Sequence, residues 1–132
     1  MNLLAFYTLA GNAGIMFFFT VAVAPFIFKV LPAEWAGRYV RSFFPRYYAF
    51  LFITSLIPVA ILQWQWAGQV SALVAALFLF NWLVLTPAVN RATDSGNRKH
   101  FMVLHLLSIA INFVQLGLLV WVLYTERPVL AA

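Results

Sequence analysis

The amino-acid sequence predicts an all-α polytopic membrane protein, an antiparallel bundle of four transmembrane helices with a short interfacial amphipathic helix between the first two. Of its 132 residues, 65% are hydrophobic and 8% are charged, whereas an average soluble domain has about 25% charged residues. The mean hydropathy is +0.95. Four apolar stretches, each close to the roughly 20 residues that cross a bilayer, nearly fill the chain. A single transmembrane domain over residues 1–132 is therefore expected.

The four stretches are justified in chain order by their length and their flanking residues. No Lys or Arg precedes the first stretch, so we expect a retained helix there rather than a cleaved signal peptide. Pro45 is expected in the first turn of the second helix and Pro58 at a kink. The third helix ends near Pro87, and the fourth ends with the interfacial aromatics Trp121 and Tyr124. The predicted transmembrane helices cover residues about 3–29, 43–62, 69–89 and 100–124.

The link between the first two helices predicts the interfacial helix, at about residues 33–42. Its apolar side chains share one face, and Glu34 lies four residues before Arg38, which favours an ion pair. The basic residues Arg38, Arg41 and Arg46 are candidates to bind anionic lipid headgroups. The alternative is that these arginines only set the membrane topology.

Charge distribution predicts the orientation of the bundle. Basic residues lie in the first link, 29–46, and in the third link, 91–99, whereas the second link, "QWQWAGQ", has no charged residue. Because basic loops stay in the cytoplasm, both termini are expected on the non-cytoplasmic side, with a bacterial inner membrane as the location.

The fourth apolar stretch carries a polar stripe. At about 100° per residue, His105, Ser108, Asn112 and Gln115 fall within an arc of about 80°. Such a stripe should face the other helices, where Asn12, Thr54, Ser55 or Asn81 could meet it. Ser108, Asn112 and Gln115 are explained by hydrogen bonds between helices, and His105 is open to three roles: a metal or haem ligand, a proton or substrate contact, or a core histidine. The candidate site residues are His105, Ser108, Asn112, Gln115, Asn81 and Asn12, with Asn12 expected to meet the fourth helix.

Several function classes are excluded by what the sequence lacks. There is no cysteine, hence no disulfide framework and no thiolate metal site. No phosphate-binding glycine loop, Ser/His/Asp set or HExxH motif is present, so no catalytic residue is assigned and a non-enzymatic role is expected. The net charge of +5 is explained by topology, and nucleic-acid binding is not expected.

Short motifs along the whole chain resemble the four-helix membrane family that includes transmembrane protein 205. They are Leu31–Pro32, Gly37, Phe44–Pro45, Tyr48, Asn81, Pro87 and the His-x-x-Ser-x-x-x-Asn pattern of His105, Ser108 and Asn112. The resemblance implies a membrane fold, and its link to platinum-drug resistance implies metal or drug handling. A more distant likeness to the CopD and HemJ groups implies copper or haem chemistry, although the first helix here has no histidine.

Three functional hypotheses follow from the polar stripe, the small residues of the first helix and the resemblance. The first is a protein that binds or passes a small solute or a metal through the polar site around His105. The second is an assembly or stability factor for other membrane proteins. The third is a haem-linked redox protein whose second axial ligand comes from another subunit. No cofactor is required by the sequence, with haem or a metal ion left open, and the expected partners are the lipid bilayer and a second copy or another membrane protein.

Overall fold

Four long helices make up the computed structural model, which describes residues 1–128. Each helix has 28 residues or more and is therefore at least about 42 Å long, which exceeds the roughly 30 Å hydrocarbon core. The prediction of a helical bundle with four spanning helices is confirmed. The helices are α1, Leu3–Val30; α2, Ala33–Leu62; α3, Trp66–Asp94; and α4, Arg98–Thr125.

The helices form a closed ring in chain order, in which α4 also packs against α1. Short links make consecutive helices antiparallel. At one end, which we call the basic end, Arg41 of α2 forms a bidentate ion pair with Asp94 of α3. At the opposite end, the Met1 amino group lies 3.9 Å from the Glu126 carboxylate. Both basic links are thus on one side of the bundle, and Met1 and Glu126 are on the other.

The predicted interfacial helix is part of α2 rather than a separate element. The helix runs without a break from Ala33 to Leu62, so the predicted start near residue 43 is wrong. Pro45 lies inside the helix instead of in its first turn. The polar first turns of α2 are stabilised locally, as expected, by a Glu34–Arg38 ion pair of 3.1 Å. Pro45 is tolerated inside the helix because neighbouring groups can satisfy the backbone carbonyl that a proline leaves without a donor.

Two helices contain a wide π-helical turn ahead of a proline. In α1 the turn is Phe19–Val23 and is followed by Pro25; in α3 it is Asn81–Leu85 and is followed by Pro87. Because the proline ring clashes with the carbonyl four residues earlier, a wider turn relieves the conflict. The Thr86 hydroxyl donates to the Asn81 carbonyl at 2.7 Å and secures the second turn.

The fourth helix packs closely along only one half of its length. Its buried residues are Gln115, Leu119 and Val122, all in the half of the bundle opposite the basic end. The first half of α4 packs against α3, but the second half of α1, residues 19–30, makes no close backbone approach to it. A gap between α1 and α4 therefore remains toward the basic end.

Candidate functional site

A cavity of about 460 Å³ occupies the half of the bundle nearer the basic end. All four helices line it, through residues within 19–28 of α1, 40–48 of α2, 81–90 of α3 and 101–113 of α4. Both π-helical turns contribute to its wall. The volume is in the range of about 300–1,000 Å³ that is typical of small-molecule sites.

The polar stripe of α4 divides between the cavity and the helix interfaces. The Asn112 amide donates to the Thr20 hydroxyl of α1 at 3.1 Å, and both residues line the cavity. The Gln115 amide donates to the Val74 carbonyl of α3 at 3.0 Å. These two contacts confirm the predicted hydrogen bonds between helices for Asn112 and Gln115.

His105 and Ser108 lie at the wall of the cavity. The His105 ring is solvent-accessible in the isolated chain and stacks on Phe101, with ring centroids 5.6 Å apart and planes at 8°. The Ser108 hydroxyl approaches that of Tyr48. His105 is thus not a buried core histidine, and one face of the cavity is open beside it.

Two residues of the cavity wall each carry a buried polar atom that has no hydrogen-bond partner within residues 1–128. These atoms are the Tyr47 hydroxyl and the Asn81 Oδ1, and the two residues are only 8% and 1% exposed. Most buried polar atoms in proteins are paired, and an unpaired one costs about 1–3 kcal/mol. Asn81 is therefore the one α3 member of the predicted set that both lines the cavity and carries an unsatisfied acceptor.

Two of the predicted site residues lie outside the cavity wall. Asn12 was expected to contact the fourth helix, and this expectation is wrong. Its amide donates to the Ser55 hydroxyl at 3.2 Å, and its Oδ1 accepts from the Thr54 hydroxyl at 2.9 Å, so its partners belong to α2. Gln115 lies deeper along α4 than the cavity and is fully buried at the α3 interface.

The three arginines proposed for lipid headgroups each have a partner within the chain. Arg38 pairs with Glu34, Arg41 pairs with Asp94, and Arg46 donates to the Ser42 hydroxyl at 2.8 Å. All three are exposed at the basic end. The Arg41–Asp94 pair joins α2 to α3 beside the cavity and so has a structural role of its own.

The described part of the chain has no cluster of the side chains that most often bind metal ions. Within residues 1–128, no three side chains of His, Cys, Asp or Glu come together. Metal sites in proteins usually have three or four such ligands. A metal at His105 would need most of its ligands from elsewhere.

Several cavity residues were missed by sequence reasoning. Val40, Phe44, Tyr47 and Tyr48 follow the i, i+4, i+7, i+8 spacing of one helix face, and all four line the cavity. This spacing was available in the sequence but was hidden in an aromatic-rich run. Thr20 and Thr86 gave no comparable signal, because their contact with the cavity depends on the π-helical turns.

These helices define a four-helix integral membrane protein with a cavity between its helices. Within that class, the chain belongs to the family described as Domain of unknown function (DUF4149), whose sequence profile matches residues 7–98. The matched region covers nearly all of α1, the whole of α2 and α3, and the link to α4. No curated protein and no solved structure matches the chain. The resemblance to transmembrane protein 205 and to the CopD and HemJ groups stays a prediction.

Proposed function

We propose that this protein binds a small, mostly apolar organic molecule inside the bilayer, in the cavity at the basic end. One observation carries the proposal: two buried polar atoms, the Tyr47 hydroxyl and Asn81 Oδ1, are left unpaired in the wall of a largely apolar cavity. Small-molecule sites commonly combine an apolar lining with a few polar groups that fix the ligand. A ligand that pairs with these atoms would remove the cost of leaving them unsatisfied.

An organic ligand fits the wall better than the metal that the sequence left open. Among the described residues, His105 is the only His, Cys, Asp or Glu that lines the cavity, and a site with one such ligand holds a metal weakly. We instead assign His105 to a hydrogen bond with the ligand, because it lines the cavity together with Ser108 and Asn112. The assembly-factor and haem-linked hypotheses stay predictions, and no contact described here argues for either.

Filling the cavity should remove the ligand. Ala24 lines the cavity from α1, so Ala24→Phe places a ring in the ligand volume. We expect wild-type protein, extracted gently into nanodiscs with native lipid, to retain about one small organic molecule per chain. Mass spectrometry of the organic extract should show that molecule depleted at least about fivefold in the variant.

The matched control is Ala72→Phe, because Ala72 is exposed on α3 and does not line the cavity. Ser108→Leu is a milder second variant that keeps the proposal testable should Ala24→Phe unfold. The proposal would be contradicted if the organic extracts of wild type, Ala24→Phe and Ser108→Leu were identical, because the cavity would then hold no organic ligand.

We further propose that the basic end faces the cytoplasm, with Arg38 and Arg46 near anionic headgroups and both termini on the other side. The support is that both basic links lie at one end of the bundle, joined by Arg41 and Asp94. The positive-inside rule then orients the whole bundle. A reporter active only outside the cytoplasm should work when fused after Ala132, which lies outside the described residues, and should fail when inserted after Gly96. The reverse pattern would refute the orientation.

A further inference from the structure

We infer that the ligand is a neutral amphiphile whose ring carries a hydroxyl group, of the phenol or quinol class, and that it enters sideways from the bilayer between α1 and α4. This inference rests on the proposed function and specifies its ligand. It is derived from the charge, the unpaired atoms, the rings and the opening of the cavity.

The charge of the cavity wall excludes an ionised head. The wall has no Lys, Arg, Asp or Glu among the described residues, and its one histidine, His105, lies at the solvent-accessible face. An ionised group taken out of water needs a countercharge or several hydrogen bonds to offset its lost hydration. The part of the ligand that lies among these side chains is therefore uncharged.

The unpaired atoms define the hydrogen-bonding character of that head. Asn81 Oδ1 is a carbonyl oxygen, which accepts but cannot donate, so its partner must carry an O–H or N–H. The Tyr47 hydroxyl, in the same wall, both donates and accepts. A hydroxyl on the ligand suits both atoms, whereas an ether or a ketone leaves the Asn81 acceptor without a partner.

Aromatic side chains favour a flat ring beside that hydroxyl. On α2, the rings of Phe44 and Tyr48 stack with centroids 5.6 Å apart and planes at 22°. On α4, Phe101 stacks on His105 in the same way, and all four line the cavity. Aromatic rings pack favourably against one another in offset-stacked and edge-to-face arrangements, which an alkyl chain alone cannot use.

The opening of the cavity gives the route of entry. Pro25 and Phe28 of α1 and Ile109 and Phe113 of α4 line the cavity and are also exposed. The backbones do not close between them, since residues 19–30 of α1 make no close approach to α4. The hydrogen bond from Asn112 to Thr20 spans the gap at its inner end. In a bilayer this mouth faces lipid, so an amphiphile reaches the cavity with its tail still in the membrane.

The test compares two probes, para-hexylphenol and para-hexylanisole, which differ in that a methyl group replaces the hydroxyl hydrogen in the second. Each is partitioned between empty nanodiscs and nanodiscs that contain the full chain, and the excess bound is quantified by chromatography. We expect wild-type protein to bind the phenol at least about tenfold more tightly than the ether. Asn81→Leu should reduce phenol binding to the level of the ether. The matched control Leu83→Ala, on the exposed side of the same π-helical turn, should leave the preference intact.

A further pair of variants tests the route of entry. Ile109→Trp narrows the mouth and should reduce binding of the phenol, whereas Leu106→Trp, exposed on α4 but outside the cavity wall, should not. Wild-type binding by Ile109→Trp would overturn the lateral route.

The outcomes separate this inference from the proposed function. Equal binding of phenol and ether, a retained preference in Asn81→Leu, or tighter binding of the anionic probe para-hexylbenzoate would overturn the hydroxyl assignment. Should the probes still be lost in Ala24→Phe, ligand binding in the cavity would stand. If neither probe binds above the empty nanodiscs, and the organic extracts of wild type and Ala24→Phe are also identical, both conclusions fail.

Discussion

Gly68→Ala should lower the free energy of unfolding by about 3 kcal/mol, the upper end of the usual range for overpacking. Gly68 lies in the first turn of α3, where the chain has just reversed from α2. A Cβ there would overlap the carbonyl oxygen of Gln63 and come within 3.0 Å of the Leu62 carbonyl carbon. Both obstacles are backbone atoms, which cannot rotate away as a side chain does. The measurement is thermal or denaturant unfolding in one detergent.

The tightness of this turn is visible at Gln63, which has φ of 47°, a left-handed region that is uncommon for residues other than glycine. The reversal is completed in very few residues, so neither helix can shift to make room. Gly117→Ala is the matched control, because a Cβ at Gly117 of α4 meets nothing within 4 Å. Equal stability of the two variants would show that the α2–α3 turn is looser than described.

Asn81→Leu should have opposite effects on stability and on binding. The substitution removes a buried acceptor that has no partner among the described residues. Because an unsatisfied buried group costs about 1–3 kcal/mol, its removal from the ligand-free protein should raise the free energy of unfolding by at most that amount. The same substitution removes the atom to which the ligand hydroxyl is assigned. We therefore expect a variant that is at least as stable as wild type by thermal unfolding and that binds the phenol probe at least about tenfold more weakly.

The comparison for Asn81 is Asn12→Leu. Asn12 is buried in the same way, but it both donates to Ser55 and accepts from Thr54. Leucine at position 12 removes the donor to the buried Ser55 hydroxyl, so this variant should lose stability, although the Thr54 hydroxyl can still donate to the Phe50 carbonyl. Destabilisation of Asn81→Leu to the same degree would mean that Asn81 Oδ1 is paired in the ligand-free protein, and would contradict its assignment to a ligand.

Much of the fold could be predicted because the bilayer imposes strict rules. Long apolar stretches must be helical to satisfy their backbone groups, and four such stretches with short links leave few arrangements. The boundaries were less predictable. The start of α2 was placed about ten residues late, because an amphipathic pattern indicates a helix at the membrane surface but does not show whether that helix continues into the next.

The candidate site could be predicted only in part. His105, Ser108 and Asn112 of the α4 stripe line one cavity together with Asn81, and their role as a binding site stays a prediction. Asn12 was grouped wrongly, because a polar residue in a helix shows that a partner is needed without showing which helix supplies it. Tyr47 could have been found from the i, i+4, i+7, i+8 spacing on α2, whereas Thr20 lies in the π-helical turn of α1, which the local sequence does not show.

The sequence by itself determined that the chain lies in a lipid bilayer, how many helices it has and which links carry the positive charge, since these follow from composition and length alone. Only the tertiary structure decided that α4 packs tightly through Gln115 and Leu119 yet leaves a gap beside α1. It also decided that Asn81 Oδ1 and the Tyr47 hydroxyl stay unpaired among the described residues. The physical reason is that helix formation depends on local apolar length, whereas a cavity depends on where four packed surfaces fail to meet.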